Sequence, residues 1–299
     1  MTYGELLVQV RQRLERAALP EAPLESEILI RHAAGLSKTQ FLGALQDSPG
    51  AGVAERVEGY VERRLRHEPL AYITGKREFY NLEFSIDKRV LIPRPESETL
   101  VEQALALVGP EEEARGLRII DVGTGSGALA IALAINLPFA SVTAVDISQD
   151  ALDLASHNVI RHLSESRVRR SREQLESAKG TRVELVCGDL LEPVHGSFDM
   201  LVANLPYISE RDWEQLAPEI RDHEPKVALV AEDDGLALVA RLLQQLGNRR
   251  QKPRWALFEV GYGQAQRAKA LAEEALRGST VRIYRDLAGI ERGLVITLR

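Results

Sequence analysis

The sequence predicts an α/β chain: a mostly parallel seven-stranded sheet with one antiparallel strand, preceded by a small helical domain and a β-hairpin linker. Three observations predict it. From residue 117 onward, short apolar runs alternate with amphipathic stretches, the pattern of parallel strands joined by right-handed helical crossovers. The last two runs, Val281 to Tyr284 and Gly293 to Leu298, are joined only by a short link, so they pair antiparallel as a hairpin. Before residue 69 the apolar residues recur at three- and four-residue steps instead, the spacing of one helix face.

Leu6, Leu7, Val10 and Leu14 mark the first helix, which Pro20 and Pro23 break. Leu24 to Ile30 starts a second helix, ended by Gly35. Thr39 to Leu45 is a short third helix. Ser48 to Gly52 is a loop, and Val53 to Arg66 a further helix with Val57, Val61 and Leu65 on one face. Four short helices of this kind make a bundle, assigned to residues 1–68. In the linker, residues 69–95, Glu83 to Asp87 alternates and Arg89 to Ile92 is apolar, which reads as a β-hairpin turning at Asp87-Lys88. Pro93-Arg94-Pro95 then fixes an extended backbone.

The third domain, residues 96–299, opens with an amphipathic helix from Glu96 to Val108. Strands follow at Arg118–Val122, Ser141–Ile147, Arg182–Cys187, Phe198–Ala203 and Trp255–Val260, before the closing hairpin. Helices fill the gaps at Ala128–Leu137, Gln149–His162, Gly235–Leu246 and Gln264–Arg277. Residues 163–181, with Arg167, Arg169, Arg170 and Arg172 among serines and glutamates, read as a solvated insertion.

The 299 residues are 44% hydrophobic and 27% charged, with a formal net charge of −6 and an isoelectric point near 5.7. That balance argues against sequence-blind nucleic-acid binding, which needs a dominant basic surface. Cys187 is the single cysteine, so an intrachain disulfide and a multi-cysteine metal site are both excluded. Its place in an apolar run predicts a buried strand residue. The six histidines form no nucleophile or metal pattern, so no metal is expected. Neither a signal peptide nor a membrane-spanning apolar run is visible, and the expected location is cytoplasmic.

Two stretches carry chemistry. Asp121-Val122-Gly123-Thr124-Gly125-Ser126-Gly127 follows one strand and opens a helix. Its alternate glycines let the chain turn sharply and a ligand approach closely. The third glycine comes one residue too early for a dinucleotide fingerprint, and no Gly-Lys-Ser/Thr of a P-loop follows. Asp146 and Asp189 end the next two strands, where ligand crevices form in α/β sheets. The second stretch, Phe198 to Ile208, runs as a buried strand into Asn204-Leu205-Pro206-Tyr207. Alone, that tetrad reads equally as a Pro-containing turn. In register with the glycine loop it reads as a clamp: the Asn204 side-chain oxygen and the Leu205 carbonyl can grip both hydrogens of a planar NH2, and Tyr207 offers an aromatic face.

The glycine stretch resembles motif I of class I S-adenosylmethionine-dependent methyltransferases. The tetrad is similar to the Asn-Pro-Pro-Tyr of those that act on planar NH2 groups. By that resemblance the cofactor is S-adenosyl-L-methionine, held by Gly123, Thr124, Gly125, Ser126 and Gly127, with Asp146 on the ribose, Asp189 and Leu190 at the adenine, and Asn204 beside the methyl. Arg94 joins this set as a pocket-lining candidate; its alternative is a salt bridge with Glu96 or Glu98. Asn204, Leu205, Pro206 and Tyr207 are the implied catalytic residues.

Glu68 to Gly75, Glu78-Phe79, Leu91 to Glu98, Pro218-Glu219-Ile220, His223 to Leu229 and Asp234-Gly235-Leu236 further resemble the bacterial peptide chain release factor glutamine N5-methyltransferases. The resemblance covers nearly the whole chain, with its gap at the arginine-rich insertion. It implies that the substrate is the glutamine of the Gly-Gly-Gln loop of class I release factors and that the helical domain docks the factor. A monomer is expected, with no membrane partner and no direct nucleic-acid binding. Leu205 departs from the family's usual proline. Asn-Leu-Pro-Tyr is the spelling of rRNA adenine methyltransferases, which makes adenine N6 the alternative acceptor; those enzymes place their extra helical domain after the catalytic one. A silent binding protein on the same fold is the third reading, and the intact glycine loop, Asn204 and Tyr207 disfavour it.

Overall fold

The computed structural model describes residues 1–164 and 182–298, in two compact units. One comprises Met1–Lys76 with Ala217–His223, the other Arg77–Leu216 with Glu224–Arg299. Most of the arginine-rich insertion, from residue 165 to 181, lies outside the described residues.

The first unit is helical: Tyr3–Arg16, Ala22–Ala34, Lys38–Gly43, Val53–Leu65 and Leu70–Thr74. Leu6, Val10 and Leu14 bury one face of the first helix in a core shared with Leu29, Ile30, Phe41, Val57 and Val61. Local chemistry sets the ends. Thr2 with Glu5, and Ser37 with Gln40, form capping boxes that satisfy the first free N–H groups. Gly35 closes the second helix in the left-handed region (φ 67°), where a Cβ would be strained. A buried charge sits inside this unit. Arg64 is 2% exposed and forks onto Glu25 at 2.8 and 3.0 Å, and also reaches Glu219 at 2.9 Å. The apolar spacing of Val57, Val61 and Leu65 on this helix gives no sign of the arginine among them.

Strands β1 (Lys76–Phe79) and β2 (Leu82–Ser85) form a two-stranded hairpin. This corrects the expected hairpin, which was placed one strand too late. The turn is Tyr80-Asn81, both at positive φ (51° and 59°), the conformation of the tight primed turns that hairpins prefer. Arg89 to Ile92 is not a strand. Its apolar pattern is real for another reason: Val90 and Ile92 are buried as irregular chain.

In the second unit the described strands β3 (Leu117–Val122), β4 (Ala140–Asp146), β5 (Arg182–Cys187), β6 (Met200–Ala203), β7 (Trp255–Glu259), β8 (Thr280–Arg285) and β9 (Glu291–Thr297) form one sheet in the order β5-β4-β3-β6-β7-β9-β8. All neighbours are parallel except β9, which runs antiparallel to both β7 and β8. The expected α/β class, seven-stranded sheet and reversed strand are therefore present. β9 inserts between β7 and β8, so the reversed strand is next to the edge.

Parallel strands buried on both faces read as continuous apolar runs, and β6 (Met-Leu-Val-Ala) and β7 (Trp-Ala-Leu-Phe-Glu) are buried at every position. Glu259 is the exception in composition, though not in burial. On the apolar side of helix Ala237–Gly247, Val239, Leu242, Leu243 and Leu246 share one core with Ala265, Ala268 and Ala272 of helix Ala265–Ala275. Cys187 ends β5, the sheet edge, and is exposed; the expected burial is corrected, because an edge strand has a neighbour on one side only.

Candidate active site

The strand order sets the site. The chain moves outward from β3 to β4 and β5, then returns to pair β6 with the other side of β3. Such a switch point leaves a crevice at the carboxyl ends of the strands. A cavity of about 270 Å³ lies there, lined among others by Gly123, Gly125, Asp146, Asp189, Asn204 and Pro206.

The loop after β3 is shaped by its glycines. Gly123, Gly125 and Gly127 all have positive φ (77°, 54° and 82°). At Gly123 a Cβ would also meet Leu205 Cδ2 at 3.1 Å. The Gly123 and Thr124 N–H groups donate to the Val145 carbonyl at 2.8 and 3.0 Å, and the Gly125 N–H donates to the Asp146 carboxylate at 2.8 Å. The loop is thus stitched to the end of β4. The Ser148 N–H donates to the other Asp146 oxygen at 2.9 Å. Each carboxylate oxygen retains a lone pair, so Asp146 can still accept from two hydroxyls. Burial pushes the Asp146 carboxyl up, and these backbone N–H groups pull it back.

Asp121 is fully buried, and burial pushes it up to about 7 against a hydrogen bond from the Thr124 hydroxyl (2.7 Å). Its other oxygen has no partner among the described residues. Thr124 and Ser126 lie buried beneath the loop and do not line the cavity; the Ser126 carbonyl accepts from Asn158 at 2.9 Å. Gly127 is also off the lining. A Cβ there would meet Ile131 Cδ1 at 3.3 Å and Ala155 Cβ at 3.4 Å, so its role is close packing.

Asp189 and Leu190 both line the cavity, and the Asp189 carboxylate pairs with Arg241. Arg94 does not line it. Its guanidinium pairs with the buried Glu224, not with Glu96 or Glu98, and Glu224 also accepts from the Ile92 N–H at 3.2 Å.

Asn204, Leu205 and Pro206 line the cavity directly after β6. Leu205 is buried in the core cluster and packs under Gly123, so the departing residue fills space that the glycine leaves open. The Asn204 Nδ2 donates to Ser97 Oγ at 2.9 Å, which leaves Oδ1 as its free acceptor among the described residues. Tyr207 stands off the cavity, with Glu259, Arg94, Arg292 and Glu96 as charged neighbours, and burial raises its phenol. Two contacts fix its backbone. Gln264 Nε2 donates to the Tyr207 carbonyl at 2.8 Å, and a Cβ on Gly235 would lie 1.9 Å from that same oxygen. Ile208 then bridges to Val230. The tetrad is a fixed loop.

Sequence reasoning missed Ser97, Glu259 and Gln264 as parts of this site. Glu259 had a signal: an acid ending the apolar run Trp255 to Phe258. Gln264 had none beyond following Gly261-Tyr262-Gly263. No group of His, Cys, Asp or Glu among the described residues could hold a metal ion.

A glycine-lined cradle with a strand-end carboxylate, facing a fixed amide and backbone carbonyl, suits an adenosyl-type ligand next to a planar acceptor. Comparisons with known proteins agree. Residues 5–75 match the PrmC N-terminal domain family and residues 102–222 the methyltransferase small domain family. The chain is 36% identical over 277 residues to the release factor glutamine methyltransferase of Rhodopirellula baltica, covering 91% of this chain and 88% of that protein. It is 35% identical over 271 residues to the enzyme of that name from Bacillus subtilis (89% and 88%), and 32% over 269 residues to that of Bacillus cereus (89% and 89%). Among solved structures, the hMettl16 catalytic domain in complex with an RNA hairpin shares the fold, with a TM-score of 0.53 at 16% identity over 83% of this chain and 82% of that one.

Proposed function

The chain belongs to the release factor glutamine methyltransferases, and on that premise we propose that it methylates the side-chain amide nitrogen (N5) of the glutamine in the Gly-Gly-Gln loop of class I peptide chain release factors. The observation that carries the reading is the meeting, at one switch point, of the glycine loop after β3 and the Asn204–Tyr207 loop after β6.

The cofactor is S-adenosylmethionine, which supplies an electrophilic methyl on a sulfonium. Gly123 and Gly125 would give it a close approach, Asp146 would accept from the ribose hydroxyls, and Asp189 with Leu190 would meet the adenine end. Thr124, Ser126 and Gly127 hold the shape of the loop from below. An amide nitrogen is a weak nucleophile, because its lone pair is delocalised into the carbonyl. The clamp compensates by position: Asn204 Oδ1 and the Leu205 carbonyl accept its two hydrogens and turn the nitrogen towards the methyl. Orientation of this kind contributes up to about 7–11 kcal/mol in the best cases. Pro206 walls the site, Tyr207 stands behind it as a fixed part of the same loop, and Arg94 with Glu224 ties Ile92 to the adjoining segment.

Residues 1–68 dock the release factor, residues 69–95 link, and residues 96–299 carry the transfer. The protein acts as a cytoplasmic monomer without direct nucleic-acid binding. No helix among the described residues is long and apolar enough to cross a membrane. The rRNA adenine reading shares the Asn-Leu-Pro-Tyr spelling, yet relatives matching along about nine-tenths of the chain carry the glutamine name.

Labelled S-adenosylmethionine distinguishes the two. Incubated with a purified class I release factor and with ribosomal RNA in parallel, the enzyme should label the factor alone. Label in the RNA, with none in the factor, would overturn the reading.

A further inference from the structure

Asn204 can serve the clamp only with its oxygen towards the acceptor. An asparagine amide is nearly symmetric in shape, so something must choose its orientation. The residues behind the loop bear on that choice. Ala203 is in register with Phe258, which places Glu259 at the end of β7 beside Asn204 at the end of β6. Glu259 is 3% exposed and Ser97 4%. Asn204 Nδ2 donates to Ser97 Oγ at 2.9 Å. One Glu259 oxygen has no hydrogen-bond partner among the described residues.

Taking the glutamine methyltransferase reading as its basis, we propose that Glu259 is a positioning residue that, together with Ser97, sets the Asn204 amide orientation. A serine hydroxyl has one proton and two lone pairs. With Glu259 ionised, that proton is drawn to the carboxylate and only lone pairs face Asn204. Asn204 must then present its NH2 inward, and Oδ1 points to the acceptor. With Glu259 protonated, the carboxylic acid donates to Ser97, and the Ser97 proton turns to Asn204. The amide is then satisfied with Oδ1 inward, and the clamp presents a donor to a donor.

The charged and titratable groups around Glu259 are Arg292 on β9, Glu96 before helix Glu98–Ala106, Tyr207 after β6 and Tyr284 on β8. Burial pushes the Glu259 carboxyl up to about 7; hydrogen bonding from Ser97, the Arg292 charge and hydrogen bonding from Asn204 oppose this, and Glu96 adds to it. The switch between the two states therefore falls near neutral pH.

The test follows kcat for methylation of a release factor at saturating S-adenosylmethionine, on both sides of the Glu259 titration at about 7. In the unsubstituted enzyme kcat should fall as pH drops through that value, with the cofactor KM nearly constant. Glu259→Gln keeps an acceptor for the Ser97 proton and cannot titrate, so it should retain the plateau kcat and lose the acid limb. Glu259→Leu removes the acceptor and should hold kcat roughly tenfold or more below the unsubstituted plateau, with no pH dependence through that value, the cost of a misoriented reacting group. An unchanged acid limb in Glu259→Gln, or a plateau kcat retained in Glu259→Leu, overturns the proposal. A second readout does not need turnover. The Asn204 side-chain NH2 resonance, in the S-adenosylhomocysteine-bound protein, should shift with pH through about 7 and stay fixed in Glu259→Gln. Absence of that shift in the unsubstituted protein overturns the proposal, whereas its presence in an enzyme that labels no release factor faults the assigned substrate alone.

Discussion

Replacing Asn204 with alanine should lower kcat by roughly 10²-fold or more while the dissociation constant for S-adenosylmethionine stays near that of the parent enzyme. What decides the effect is where the side chain points. Its Nδ2 is spent on Ser97, and its Oδ1 is left for the acceptor. On the proposed clamp, alanine would delete the acceptor and so release the substrate nitrogen from one of its two holds. The Leu205 carbonyl would remain but would fix only one hydrogen, so the nitrogen should swing off the line of transfer. The fold should notice little. Asn204 is half-buried, and losing one neutral hydrogen bond costs about 1 kcal/mol. Steady-state kinetics with calorimetry of cofactor binding separates the outcomes: a large loss of cofactor affinity at normal kcat would place Asn204 in the cofactor cradle instead.

The largest stability effect is expected at Arg64, inside the helical unit. Arg64→Ala should cost about 3–5 kcal/mol, because it strands a buried carboxylate rather than merely losing an attraction. Glu25 is 7% exposed, and both of its oxygens are held by Arg64. Glu219, which is more exposed, can turn to water. The double variant Arg64→Met/Glu25→Leu removes both charges at similar volume and should recover most of the loss. Urea unfolding at constant slope reads both directly. If Arg64→Ala shifted the midpoint by no more than an ordinary surface substitution does, the pair would be better solvated than its exposure implies.

The fold was largely legible because its signals are local. Apolar runs such as Met200 to Ala203 and the glycine loop at 123–127 announce themselves within a few residues. So do the strand-end carboxylates Asp146 and Asp189, and the structure brings both to the cavity. What escaped depends on register or on backbone conformation. The β1–β2 turn carries no glycine, and Tyr80-Asn81 reaches positive φ without one. Val90 and Ile92 look like a strand because burial alone demands apolar residues there. Cys187 was read as buried from its apolar neighbours, and only the strand order reveals that β5 is an edge. Ser97 and Glu259 are far apart in the chain. The pairing of β6 with β7 brings Glu259 beside Asn204, and the Asn204–Ser97 hydrogen bond brings Ser97 there.

The central claim is that the Asn204–Tyr207 loop presents a glutamine amide nitrogen to the methyl donor. Fragment-ion mass spectrometry of the peptide containing the Gly-Gly-Gln loop, taken after single turnover, tests it most directly. One added methyl should localise to the side-chain amide of that glutamine, and a release factor with the glutamine replaced should gain none. A methyl on the peptide backbone or on another side chain, or undiminished transfer to the replaced factor, would contradict the account.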